Sequence, residues 1–227
     1  MSDVRESLPV QHYLVRFGGE AALIVVSVFV AIFLESTWQD RVAALEARES
    51  LAQVRQSLVE DLAFLDKVEA EQKDAEEMIN LLIRWAANPE LLTDEQVQDI
   101  VLNYAMPISI WPRRAAWDSM VAAGQLRLLR SPDLTTLVGD YYEYHLRRVE
   151  YNGRQYDEMF ISVFDEDLSR LWNYGEARLF TTDPADLAYF RNRLILLNGW
   201  TLYYLDYVQR NRELLIELIE EIDEFLS

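Results

Sequence analysis

From residue 20 to residue 88 the chain contains neither glycine nor proline, and this stretch opens with AALIVVSVFVAIFL, residues 21–34, apolar except for Ser27. A segment free of both helix breakers, apolar first and charged afterwards, predicts one helix that leaves an apolar medium and continues into water. Fourteen residues rise only about 21 Å against a hydrocarbon thickness of about 30 Å, so the flanks must contribute. Tyr13 and Phe17 precede the run and Trp38 follows it, which sets aromatic rings about 38 Å apart along a helix, one at each interface. Residues 13–38 are therefore expected to be a transmembrane anchor in contact with lipid, behind a short tail of residues 1–12. A buried core helix would keep a polar stripe, which this run lacks. A cleaved leader would end in a small-x-small site, where this chain has Leu34-Glu35-Ser36-Thr37-Trp38.

Orientation is less strongly encoded. Arg5, Arg16 and the amino terminus lie before the span, Arg41 and Arg48 after it, and the positive-inside tendency then favours a cytoplasmic amino terminus with residues 39–227 outside a bacterial inner membrane. Glu20 stands at the start of the span, four residues after Arg16, where a carboxylate reaches the interface more easily than it carries protons through a lone helix. The chain bears a net charge of −18, nearly all of it beyond residue 34. Such a domain repels nucleic acid, so no nucleic-acid partner is expected. It has no cysteine, which excludes disulfides and thiolate metal sites.

Beyond the span, Leu51, Val54, Leu58, Asp61, Leu65, Val68, Gln72, Ala75, Ile79 and Leu82 alternate three and four residues apart. This is a coiled-coil-like seam, whose breaks at Asp61 and Gln72 fit either an oligomeric coil or an intramolecular bundle, with the bundle more common. Asn88-Pro89 ends the rod. Thr93-Asp94-Glu95-Gln96 predicts a capping box for a short helix to about Tyr104, followed by breaks at Pro107 and Pro112, and a second short helix over 113–123 stopped by Gly124. Ser131-Pro132 starts a long helix to about Trp172 with Ser131 as its cap. Gly139 and Gly153 inside it mark close contact or a bend.

After a loop, Asp183-Pro184 starts the last helix, where twelve positions from Leu187 to Phe225 keep a three-four alternation and ten are apolar or aromatic. Ile195, Leu202, Leu205, Ile216 and Ile219 widen its stripe, as expected of a helix buried against two neighbours. No strand is predicted. The fold expected is all-α: a transmembrane helix continuing into a long stalk helix, packed with two further long helices and two short ones as an elongated antiparallel bundle.

Nothing in these residues spells a reaction. His145 lacks the Glu-x-x-His partner and second histidine of a di-metal bundle, and no nucleophile elbow accompanies it. The acidic end from Glu213 to Glu224 has no calcium-loop spacing, and no glycine-rich phosphate loop is present. No cofactor or metal is expected, and the chain is not expected to be an enzyme. Trp111, Trp117, Tyr141, Tyr142 and His145 are the candidates for packing or for a ligand pocket between helices.

Gly19-Glu20, Val25-Val26, Ala31, Trp38 with Arg41, the segment from Ala123 to Leu129 (AGQLRLL), Pro132, Leu134 and the Tyr141-Tyr142 pair together resemble a bacterial family of single-span membrane proteins with a helical extramembrane domain and no established activity. The resemblance implies an anchor plus a helical domain and adds no catalytic residue. The expected role is a non-enzymatic interaction or scaffolding module, self-associating or bound to another membrane protein. The alternatives are a ligand-sensing bundle that signals through its first helix and a cytoplasmically facing membrane-anchored adaptor. Sensing predicts a pocket between helices lined by aromatics and a charge; scaffolding predicts a filled core with an exposed apolar patch.

Overall fold

The computed structural model describes residues 10–103 and 108–227, with side chains described for 23–102 and 108–227. The expected interfacial side chains Tyr13, Arg16, Phe17 and Glu20, the helix end at Tyr104 and the break at Pro107 lie outside those described residues. The order is α1 (Val10–Ala87), α2 (Asp94–Asn103), α3 (Ala115–Ala122), α4 (Pro132–Asp140), α5 (Leu146–Ile161), α6 (Leu168–Leu171), a two-residue hairpin of β1 (Trp172–Asn173) and β2 (Arg178–Leu179), and α7 (Pro184–Leu226). The chain is all-α in class, and the hairpin is a small addition to the strandless expectation.

The breaker-free stretch lies within one helix: α1 runs 78 residues, from Val10 through Gly18 and Gly19 to Ala87, about 117 Å at 1.5 Å per residue. Its two parts behave differently. Leu23, Phe29 and Phe33 are about 70% exposed, and every other apolar side chain from 23 to 34 is exposed as well. This part of α1 is long and apolar enough to cross a membrane, and none of it packs into the bundle. Trp38 at its end is 69% exposed.

From Ala47 onward α1 packs antiparallel on α7. Nine of the ten seam positions are buried, and Ala75 is half-buried. Arg48 donates to the carbonyls of Phe225 and Leu226, Arg55 pairs with Asp223, Arg212 with Asp66, and Gln209 donates to Glu69. At the far end Trp85 meets Phe190 and Trp172 edge-on. These are partners within one chain, so the seam is an intramolecular bundle contact.

Its two polar breaks have a specific cause. Segment 108–114 crosses α1, and Gln72 donates to the Ile108 carbonyl while buried Asp61 accepts from the Arg113 backbone N–H at 3.1 Å and from its guanidinium at 2.9 Å. Ser109 donates to Asp157 on α5, and the Ile110 N–H donates to Tyr204 on α7. An irregular strip laid over a helical core needs acceptors and donors from that core, and the polar seam residues supply them.

Other local expectations resolve one by one. Thr93 and Gln96 exchange the reciprocal bonds of a capping box. Gly124 takes φ 66°, the left-handed helix end. Asp183 caps α7 through Ala185 N–H. Ser131 does not cap α4 with its side chain; Pro132 leads the helix, and the Ser131 carbonyl accepts from Thr135. The path from Pro132 to Leu171 is helical throughout but widens into π-turns at Tyr141–His145 and Ser162–Asp167.

Candidate binding groove

The aromatic residues singled out by sequence divide sharply. Trp117 and Tyr142 are buried and stacked, ring centres 5.0 Å apart and planes within 3° of parallel, with Tyr141 edge-on to Tyr142. Arg114 stands over the Tyr142 ring at 5.7 Å and donates to the Tyr142 carbonyl. Burial drives both tyrosine hydroxyls well above the ordinary phenol range, and neither has a hydrogen-bond partner among the described residues. These rings are core. His145 is half-buried, edge-on to Tyr144, in a small cavity of about 290 Å³ shared with Arg148, Tyr207 and Asn211. Trp111 departs from expectation: it is 78% exposed, because the segment that turns Ile110 inward under Tyr204 turns the next side chain outward.

The interior is filled by further pairs, Tyr156 on Tyr204 and Phe160 on Phe164. Gly153 permits the first of these: a Cβ there would lie 3.0 Å from the Tyr204 Oη and 3.2 Å from the Ser109 Cβ. Among the described residues no group of three or more His, Asp or Glu side chains could hold a metal ion.

What stands out lies on the outside of α5 and α7. Arg148, Tyr151 and Asn152 on α5 and Asn192, Ile195, Leu196, Gly199, Trp200 and Tyr203 on α7 line an open groove of about 680 Å³. The helices run antiparallel here, since Arg148 donates to Tyr207 while Asp167, just beyond α5, holds Arg193 and Tyr189. Sequence periodicity placed Ile195 and Leu202 in the buried stripe; they are 48% and 45% exposed, as are Leu196 at 48% and Tyr203 at 42%. The physical reason is that α7 has α1 on one side and α5 on another, and among the described residues no helix covers the third side of its apolar surface. No protein-family model, curated protein or solved structure matches the chain.

The groove's polar groups gather at the Tyr203 end. The Arg148 guanidinium lies 5.6 Å from the centre of the Tyr207 ring and donates to its hydroxyl at 3.3 Å. Hydrogen bonds to Tyr203 and Tyr207 raise Arg148 above its ordinary range, and Tyr203 followed by Arg148 lowers Tyr207 below the usual phenol value. Beside them Asn152 is 3% exposed, and its amide nitrogen, out of reach of solvent, has no hydrogen-bond partner among the described residues. Gly199 forms part of the wall, and a Cβ built there meets nothing within 4 Å.

Arg148, Asn152, Gly199 and Trp200 were not signalled by the sequence as site residues. One signal was available: Asn192, Ile195, Leu196, Gly199, Leu202 and Tyr203 repeat at three- and four-residue intervals, a second stripe beside the buried one. Periodicity shows that such a stripe exists without telling what covers it.

Proposed function

We propose that the chain is a non-enzymatic, single-pass inner-membrane protein whose helical domain is an interaction module, with its docking face the groove between α5 and α7. The observation that carries this reading is a contiguous exposed apolar strip beside a core already filled by its own aromatic pairs. Large exposed apolar patches on small domains mark interaction sites. The amino terminus is cytoplasmic and the bundle periplasmic in this reading, following the charge argument above. The antiparallel pairings set Gly199 between the levels of Glu69 and Trp85 on α1. The groove then stands about 60 Å beyond Trp38 along the helix, clear of the headgroups.

A ligand-sensing role is the second reading, favoured by the aromatic lining of the groove and the arginine at its mouth. The test is a photo-crosslinking residue placed in intact cells at Leu196, at Tyr203 and, as a control, at exposed Glu217. The reading requires adducts from the first two positions that disappear with Leu202→Asp. Equal yields at all three positions, or yields insensitive to Leu202→Asp, would overturn it.

A further inference from the structure

We propose that the outward ridge of α7 is the contact between two copies of this chain, which cross in parallel at Gly199 with Ile195 and Leu202 of each copy beside Trp200 and Tyr207 of the other. This rests on the reading of that face as a docking surface and of the start of α1 as a membrane anchor, and it names the occupant.

The ridge has the pattern of a helix seam. Tyr189, Asn192, Leu196, Gly199, Tyr203 and Asp206 alternate three and four residues apart; Asp206 is half-buried and the others are exposed. Ile195 and Leu202 flank this seam on one side, and Trp200 and Tyr207 on the side of α5. When two such helices run parallel, opposite flanks meet across the seam, each residue beside one about five positions further on. Ile195 then lies beside Trp200 and Leu202 beside Tyr207, while Ala188 meets Arg193 and Gln209 meets Leu214, so the pattern complements itself. A Cβ at Gly199 meets nothing within 4 Å, and a small residue at the midpoint lets two backbones approach closely.

Charge selects the same stretch. A chain of net charge −18 repels its own copies over most of its surface. On this ridge the charged side chains are already matched, Arg193 with Asp167 and Arg210 with Asp206. Past Arg210 the same side of α7 carries exposed Glu213, Glu217, Glu220 and Glu224, where two copies in register must diverge. A crossing at Gly199 provides that divergence, since Glu213 lies about 21 Å further along the helix.

The anchor explains why the occupant is a second copy. Two chains held in one membrane by α1 are related by rotation about the membrane normal. Because α7 packs antiparallel along α1, its ridge follows that normal, and a two-fold rotation sets the ridge against itself in parallel. The seam of α1 is spent on α7 within the chain. Area agrees as well. Tyr151 and Tyr189 are more than half exposed and Ile195, Leu196, Leu202 and Tyr203 nearly half, which at roughly 200 Å² per large side chain leaves about 600 Å² open. Half-buried Trp200 and Tyr207 bring this towards the about 800 Å² per partner of a stable interface.

The chain has no cysteine, so single introduced thiols report contact directly. The full chain carrying Gly199→Cys is expressed in membranes as two differently tagged copies and oxidised with copper-phenanthroline. Lys67→Cys, at an exposed position on α1, is the control. Gly199→Cys is expected to give about tenfold more disulfide-linked product bearing both tags, because a disulfide spans Cα atoms only about 4.4–6.8 Å apart. The product should be lost on adding Leu202→Asp or, independently, Ile195→Asp, with melting temperatures measured to confirm that each variant folds. A yield no greater than from Lys67→Cys, or one that survives both aspartates, would overturn the proposal. If that yield fails while photo-adducts from Leu196 persist with a different protein, the second copy falls and the docking face stands. Failure of both removes the face as well.

Discussion

Two glycines in helices that pack on each other should respond to the same substitution with opposite signs. Glycine to alanine within a helix stabilises by about 0.8–1 kcal/mol where nothing else changes. At Gly199 nothing lies within 4 Å of the new Cβ, so Gly199→Ala should raise stability by nearly that amount. At Gly153 the new Cβ would sit 3.0 Å from the Tyr204 Oη, 3.2 Å from its Cζ and 3.2 Å from the Ser109 Cβ. Tyr204 cannot swing aside freely, because its ring stacks on Tyr156 at 5.5 Å and its hydroxyl accepts from the buried Ile110 N–H at 3.0 Å. Overpacking costs about 1–3 kcal/mol and a buried unpaired N–H about as much again. Set against the helix gain, Gly153→Ala should destabilise by about 2 kcal/mol. For a domain of this size each kcal/mol moves the midpoint about 2–4 °C. Thermal unfolding followed by circular dichroism should therefore show Gly153→Ala melting about 4–8 °C below the parent chain and Gly199→Ala about 2–4 °C above it. A Gly153→Ala chain as stable as the parent, or a Gly199→Ala chain less stable, would refute the contact geometry.

Trp117→Ala should cost about 3–5 kcal/mol by chemical denaturation, since it empties a buried stack. Tyr142→Phe should be neutral or stabilising by up to about 1 kcal/mol, because the hydroxyl it removes is buried without a partner; a large loss would show a hidden bond there. Burial lifts the Asp61 carboxyl above its ordinary range, and the bonds from Arg113 offset this only in part. Protons thus bind Asp61 more tightly in the folded chain. Its contribution relative to Asp61→Asn is greatest below the unfolded value of about 3.9 and declines as pH rises through the folded one. Denaturation of both chains from pH 3 to 7 checks this, and a contribution that grows with pH would show the Arg113 pair winning. Leu202→Asp, on the exposed strip, should change stability by less than about 1 kcal/mol while abolishing crosslinking from Leu196. A reporter fused after Ser227 should report the periplasm; a cytoplasmic signal would reverse the proposed topology.

The class of fold was legible because it rests on local rules. The absence of glycine and proline from residue 20 to residue 88 leaves helix as the conformation with least cost, and Asn88-Pro89 removes both the geometry and the donor needed to go on. The capping box at Thr93 and the glycine stop at 124 work within four residues of themselves, so the chain alone specifies them. The buried stripe of α7 was equally plain, since eleven of its twelve positions are buried and only Phe225 is partly so.

The candidate groove was not legible, and the reason is physical. Periodicity states which side of a helix avoids water, not whether the chain has an element left to cover it. Ile195 and Leu202 look like flanks of the buried stripe until α5 is seen to pack on the other side of α7. Asp61 and Gln72 look like flaws in a seam until segment 108–114 crosses them, and Trp111 looks like core until Ile110 takes the inward position. Sequence by itself determined a long apolar-then-charged rod, its breaks and an all-α class, because those follow from backbone geometry and nearest neighbours. Only the tertiary structure decided which apolar side chains are left uncovered and which polar ones are buried, because both depend on what residues distant in sequence bring alongside.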